Sequence, residues 1–386
     1  MHLKFNISYF LFIFMIHTAI SQDFTWEQVN AIPEGYHYVM GSNNNGEMVA
    51  AGVEFSGDYP MQIHYMNSGG EWSQIPGVGL AASMVGSIHI TDDQEIYACD
   101  FAMGLFRTSN LGQNWTGVAE LVENGCSAFN IHDNGMLFIG LTYTFGFIHH
   151  SLDHGETWIE TSLPNYSSSY PVEHIKFDSQ GNIFLGTING VYRSIDLGVS
   201  WQKMNNGLDG VQISSMYIDE NDHLYIYTTY SAATDGLYYS TNSAESWTSI
   251  PLTNSFNYIL DMVVKNQVIY AMGSLSNFLI STDMGLNWIY ANYGINDNSL
   301  YSIHLDMDDY LYVGGRYLHC STTNISGNTA GDLNLDGIIN ILDVIEIVSL
   351  ILENSDYNEL ADINSDGSVD VVDVIQIVNI ILTGNE

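Results

Sequence analysis

The chain has 386 residues, 46% of them apolar and 12% aromatic, enough for a large packed core and too much for a disordered polymer. Seven Lys and Arg stand against 44 Asp and Glu, a formal charge of -37 that repels phosphate backbones and anionic headgroups. Nucleic acid and membrane surfaces are thereby disfavoured as partners, and the charge reads as solubility in a salty or calcium-rich medium.

Residues 1–21 read as a signal peptide. Lys4 supplies the positive end, Phe5 to Ile16 a mostly apolar run, and Ala19-Ile20-Ser21 the small residues before Gln22. No later run of about 18 apolar residues follows, so no membrane span is expected. The mature protein is expected to be secreted or at the cell surface.

From residue 22 to 326 a repeat governs the chain. The seven tryptophans stand at 26, 72, 115, 158, 201, 247 and 288, separated by 46, 43, 43, 43, 46 and 41 residues. Four short strands and their turns occupy about 40–45 residues in a propeller blade. Each Trp closes a local motif: SLDHGETW at Ser151–Trp158, SIDLGVSW at Ser194–Trp201, STDMGLNW at Ser281–Trp288, with weaker copies ending at Trp72, Trp115 and Trp247. The pattern predicts a tight turn in which Asp or Asn bonds backbone groups, Gly takes positive φ and Trp packs beneath. Strands are predicted at Val172–Phe177, Asn182–Gly186 and Gly190–Ser194, and such a triplet recurs before each turn. The last triplet, near 300–306, 310–314 and 316–322, has no Trp strand after it, so the strand around Trp26 is expected to complete that blade and close the ring. The expectation is an all-β, seven-bladed propeller.

The motif resembles the Asp-box, or bacterial neuraminidase, repeat of sialidases, sortilin-like receptors and photosystem II assembly factors. The resemblance covers most of 22–326 and implies a fold, not a chemistry. Cys99, Cys126 and Cys320 are an odd count that no disulfide framework uses up. Cys99 and Cys126 pair only if neighbouring strands bring them together; the reading adopted is small buried apolar residues. His149, His150 and His154 are read as turn residues at the surface.

After a polar linker at 327–331, residues 332–386 hold a duplicated segment without Lys or Arg. DLNLDGIINILDVIEIVSLIL begins at Asp332 and DINSDGSVDVVDVIQIVNIIL at Asp362. Oxygen-bearing residues recur at loop positions 1, 3, 5, 9 and 12 with Gly at 6, the spacing that turns successive oxygens inward on calcium. The first ion is expected on Asp332, Asn334, Asp336, Asn340 and Asp343 with the carbonyl of Ile338. The second is expected on Asp362, Asn364, Asp366, Asp370 and Asp373 with the carbonyl of Ser368. Gly337 and Gly367 permit the sharp turns. Helices follow both loops. The arrangement resembles a dockerin, which implies two calcium ions and attachment to a cohesin-like or other extracellular scaffold, in a bacterial setting. Loop positions 10 and 11, usually hydroxyl residues in dockerins of the cellulosome type, are Ile341-Leu342 and Val371-Val372 here.

Sialidase chemistry needs three converging arginines, a Tyr–Glu pair and an acid/base Asp. Arg107, Arg193 and Arg316 are the only arginines, and the first two precede Trp turns, away from the mouth. Glu54, Asp58, Asp100 and Asp235 fall in loops expected at the mouth, with nothing to mark two as a glycosidase pair. Aromatics are concentrated there: Phe55, Tyr59, Phe101, Tyr143, Phe145, Tyr230 and Tyr317, with Tyr166, Tyr170, Tyr258 and Tyr293 in interblade connections. The function read from sequence is a non-catalytic binder of a carbohydrate or peptide, tethered by its tail and working in polysaccharide breakdown. The rivals are a non-sialidase glycoside hydrolase and a protein-recognising assembly factor.

Overall fold

The computed structural model describes residues 24–54, 61–77, 85–118, 124–166, 169–208, 212–229, 236–252, 258–273, 277–295, 297, 299–325, 331–333, 339–353, 358, 360–364 and 367–383. The expected signal peptide lies outside them, as does the expected linker up to Gly331.

Among these residues the strands form seven four-stranded antiparallel sheets. Blade 4 shows the pattern: Val172–Phe177, Ile183–Thr187, Gly190–Ser194 and Gln202–Lys203 pair in chain order. Its second strand is buried throughout, as are Leu137–Leu141 and Leu224–Thr228 in blades 3 and 5. Each second strand is sandwiched between neighbouring blades, which explains runs of apolar residues where one-sided burial would give alternation. The inner strands of blades 1 to 7 are Gly35–Ser42, Val85–Ile90, Cys126–Ile131, Val172–Phe177, Ile213–Ile218, Ile259–Lys265 and Ser302–Leu305.

Blade 7 draws three strands from the end of the ring and its fourth from the start. Trp26–Gln28 pairs with Leu318–Ser321 in the register Trp26↔Ser321, Glu27↔Cys320, Gln28↔His319. Trp26 is buried, lies edge-on to Phe278 at 4.8 Å, and donates its indole N–H to the Ala291 carbonyl at 2.9 Å. The clasp therefore grips blade 6 as well as blade 7.

The turns before the tryptophans take the expected form. In blade 3 the Asp153 carboxylate accepts the Thr157 N–H at 2.8 Å and hydroxyls from Ser151 and Thr157, and Ser151 Oγ accepts the Gly155 N–H at 2.8 Å. These bonds, the Thr157 hydroxyl first, pull the Asp153 carboxyl down to about 2. The turn glycine meets the preceding blade: a Cβ on Gly112 would lie 2.2 Å from the Pro76 carbonyl oxygen. A second turn family joins first to second strands and was not anticipated. Asn43, Asp178, Asp219 and Asp306 each accept two backbone N–H groups from residues two and four further on.

Two expectations are corrected. Cys99, on the second strand of blade 2, and Cys126, opening the inner strand of blade 3, form a disulfide with Cα atoms 5.2 Å apart. Adjacent blades bring together residues 27 apart in sequence, and closing a loop of that size stabilises by about 3–4 kcal/mol in the chain-entropy picture. His149 and His150 are not surface turn residues but are buried in the third strand of blade 3, Phe147–Ser151, with His149 Nε2 3.2 Å from Glu160.

The C-terminal module has helices α1 (Ile341–Glu353) and α2 (Val371–Thr383) packed around Leu333, Ile347, Ala361 and Ile377. Asn340 caps α1 by accepting the Leu342 N–H at 2.8 Å, and Asp370 caps α2 through Val372 at 2.7 Å.

Truncating the clasp is predicted to loosen the whole ring. Trp26→Ala should cost about 3–5 kcal/mol, and removal of residues 22–30 should cost more because it bares a sheet edge. Thermal melting followed by Trp fluorescence checks both, and an unchanged midpoint contradicts the closure. A pH prediction follows from His64, which is 1% exposed, finds no hydrogen-bond partner for either ring nitrogen among the described residues, and is held by burial at about 4 against an ordinary 6.5. The unfolded chain binds the proton first, so the stability His64 contributes is complete above about 6.5 and is lost as pH falls toward 4. The melting midpoint should drop across that window, and His64→Leu should flatten the drop.

Candidate functional site

All seven inner strands contribute to one axial cavity of about 480 Å³. Hydrogen bonds join adjacent inner strands at three of its seams. Ser127 Oγ donates to the Val172 carbonyl at 2.8 Å and Asn130 Nδ2 to the Ile175 carbonyl at 2.9 Å. Asp261 accepts the Ile303 N–H at 3.2 Å, His304 Nε2 lies 2.8 Å from Ser42 Oγ, and Ser302 Oγ donates to the Tyr38 carbonyl. On blade 1 the equivalent place is Gly41, where a Cβ would stand 2.3 Å from the Ile88 carbonyl oxygen. Backbone contact there admits no side chain.

The polar groups facing the cavity include His89, His174, His304, Lys176, Asp261 and Glu173. Burial first, and the Lys176 charge second, hold all three imidazoles at about 4, so they are neutral near pH 7. Burial also lowers Lys176 and raises Asp261, each opposed by the other's charge, and burial raises Glu173. Lys176, on blade 4, lines the same cavity as His89 of blade 2 and His304 of blade 7.

Sequence reasoning passed over these residues. The signal lay in a polar residue between two large apolar ones, just before the first turn: Ile88-His89-Ile90, Phe129-Asn130-Ile131, Ile175-Lys176-Phe177 and Ile303-His304-Leu305. Alternation sends the apolar neighbours between blades and the central residue toward the axis.

Of the aromatics expected at the mouth, Phe101, Tyr143, Phe145 and Tyr170 are exposed, Tyr143 at 61%. They follow one another along blades 2 to 4. Thr142 Oγ1 donates to the Phe101 carbonyl at 2.9 Å, Gly146 abuts the Tyr166 ring, and Tyr166 OH donates to the Tyr170 carbonyl at 2.6 Å. Tyr293 is exposed by itself, whereas Tyr317 bonds Glu34 and Tyr258 packs edge-on to Tyr227. Asp100 is not a mouth acid but a buried turn residue, accepting the N–H groups of Ala102 and Met103. Phe55, Tyr59, Tyr230, Asp58, Asp235 and the Glu54 side chain lie outside the described residues. The arginines do not converge on the channel. Arg107 donates to the His154 carbonyl in the next blade's turn, Arg193 pairs with Glu245 at 2.7 Å, and Arg316 pairs with Glu34.

In the C-terminal module the two repeats match atom for atom. Asp343 accepts the Leu333 and Asn340 N–H groups at 2.8 Å each, and Asp373 accepts those of Ile363 and Asp370 at 2.9 Å each. Asp362 accepts the Gly367 N–H at 2.8 Å. Position 12 of each loop therefore braces its own loop, a role beyond the ligand role expected of it. Asp332, Asp343, Asp362 and Asp373 are buried, with Asn340, while Asn364, Ser368 and Asp370 are more open. Asn334, Asp336, Ile338 and Asp366 lie outside the described residues, and among those that are described no three carboxylate, imidazole or thiol groups converge as a metal cage. The donor set still fits a hard cation: every candidate ligand is oxygen, and residues 331–386 hold no Lys, Arg or His to neutralise four buried carboxylates.

Residues 330–382 match the family model of the dockerin type I domain, a generally calcium-binding class that engages cohesin scaffold partners. No curated protein matches the chain. Among solved structures, a streptogramin B lyase is similar at 15% identity and TM-score 0.62, over 79% of this chain and 99% of that one. PorZ, a surface component of the type-IX secretion system of Porphyromonas gingivalis, is similar at 14% identity and TM-score 0.60, over 78% of this chain and 48% of its own. YCF48 bound to D1 peptide is similar at 15% identity and TM-score 0.59, over 78% and 97%. At such identities the likeness carries the fold alone, a seven-bladed propeller, and the dockerin type I match at residues 330–382 follows it.

Proposed function

We propose that the protein is an exported glycan-binding propeller attached to an extracellular or cell-surface assembly by its calcium-loaded C-terminal module. The carrying observation is the set of four buried carboxylates, Asp332, Asp343, Asp362 and Asp373, in a module without one basic residue. Buried carboxylates without a cationic side chain in the module are costly to keep charged, and two divalent cations are the natural counter-charge. The ligands of the first would be Asp332, Asn334, Asp336, Asn340, Asp343 and the Ile338 carbonyl. Those of the second would be Asp362, Asn364, Asp366, Asp370, Asp373 and the Ser368 carbonyl. A bound ion supplies charge neutralisation and fixes the loop; the chain itself braces each loop through Asp343 and Asp373. Export is supported by the leader-like residues 1–21 and by the Cys99–Cys126 disulfide, a bond that persists in oxidising compartments.

A glycan is favoured as the propeller's ligand because rings at Phe101, Tyr143, Phe145 and Tyr170 are exposed along blades 2 to 4, Phe101 against the channel-lining Gly86, an arrangement suited to stacking on sugars. The arginines, each bound elsewhere, leave no sialidase triad.

Calcium dependence is tested on the full chain by digestion with a Glu-specific protease. Cleavage within 331–386 should be fast in chelator and slow in millimolar calcium, with the propeller resistant in both, since sites of this class bind at roughly 10⁻⁴–10⁻³ M. Asp336→Ala with Asp366→Ala should abolish the protection. Resistance that is identical with and without calcium contradicts the reading. For the propeller, Tyr143→Ala with Tyr170→Ala should weaken glycan binding by about tenfold on an array, without moving the melting midpoint. Failure of the calcium-loaded chain to bind any glycan saturably contradicts that part.

A further inference from the structure

The chain has seven Lys and Arg, of which Lys4 lies outside the described residues. Four of the remaining six meet carboxylates within 4.0 Å: Arg107 with Glu156, Arg193 with Glu245, Lys265 with Asp309 and Arg316 with Glu34. Lys203 lies over the Tyr192 ring at 5.9 Å. Lys176 alone among the described residues has neither, although it lines the axial cavity. Asp261 is the carboxylate whose charge acts on Lys176, but it makes no ion pair with it within 4.0 Å and accepts the Met262 and Ile303 N–H groups instead. A lysine whose charge burial disfavours thus faces a cavity large enough for a sugar unit, with no acceptor within hydrogen-bond or ion-pair distance among the described residues, in a protein of strongly acidic composition.

We propose that the axial channel receives a singly charged oxyanion borne on a sugar chain, a uronate carboxylate or a sulfate half-ester, with the Lys176 ammonium as its counter-ion. The proposal deepens the glycan-binding reading and rests on it. One positive charge matches one negative charge. A phosphate monoester, with nearly two, would meet Asp261 and Glu173 at close range. The acidic outer surface does not forbid entry, because its field fades over about 8 Å at physiological salt, whereas the lysine acts at contact.

Titration calorimetry on the full-length, calcium-loaded protein tests this with three probes of equal length: oligogalacturonate, a sulfated galactan oligomer and a neutral galactan oligomer. At least one charged probe should bind ten times or more tighter than the neutral one, and which of the two does so identifies the anion. Lys176→Met should remove that preference, while Lys176→Arg should keep most of it. Glu173→Gln should tighten the charged probe two- to threefold, an arm that survives if Lys176→Met fails to fold. Equal affinities for charged and neutral probes, or a charge preference that persists in folded Lys176→Met, overturns the channel site and leaves glycan binding standing. Absence of binding by all three probes overturns both.

Discussion

Backbone hydrogen bonds between Trp26–Gln28 and Leu318–Ser321 join the two ends of a ring that would otherwise present an open sheet edge. The axial cavity depends on that junction. His304 reaches Ser42 across 262 residues of sequence, and Ser302 reaches the Tyr38 carbonyl across 264. These contacts form only when blade 7 is seated against blade 1. The indole of Trp26, bonded to Ala291 and packed on Phe278, ties the same strand to blade 6. The wall that carries His304 is thus positioned by residues at the start of the described chain.

Within the closed ring, scarcity of positive charge makes each cation informative. Arg107 and Arg193 both lie on third strands and both reach carbonyls in the next blade's turn, His154 and Ser243. They act as rivets between blades, and Arg316 does the like for the chain entering blade 1 through Glu34. Among the described residues the channel is left with a single lysine, Lys176, whose field helps keep three imidazoles neutral. The same electrostatic logic, with the sign reversed, governs the C-terminal module, where buried carboxylates have no basic neighbour in sequence.

Much of the fold was legible because its repeat is carried by the rarest residue. Seven tryptophans in one register specify seven outer strands, and the unpaired first and last elements specify the closure. Turn chemistry was legible for the same reason: Ser, Asp and Gly recur at fixed offsets from Trp, and their bonds are local. What escaped were consequences of contact between blades. Cys99 and Cys126 pair because one blade's second strand abuts the next blade's first, a juxtaposition that no local pattern encodes. His149 and His150 looked like exposed polar residues, yet a third strand is covered on both faces. The channel residues vary from blade to blade, His on blades 2 and 7, Asn on blade 3 and Lys on blade 4, so they produce no conspicuous motif. In the tail the calcium-loop spacing was plain, whereas the bracing role of Asp343 and Asp373 needed the folded geometry.

The register of the clasp offers the most direct trial of the account. Glu27 stands opposite Cys320, the one described cysteine outside the disulfide, and both line the seam between blades 7 and 1. Paired residues on antiparallel strands have Cα atoms about 4.5–5.5 Å apart, within reach of a disulfide. Glu27→Cys should therefore cross-link to Cys320 on mild oxidation, giving a chain that migrates faster without reductant, shows no alkylatable thiol and melts at a higher temperature than the same chain reduced. If the folded variant instead keeps both thiols open to alkylation under oxidising conditions, the N-terminal strand does not close the ring, and the channel built upon that closure falls with it.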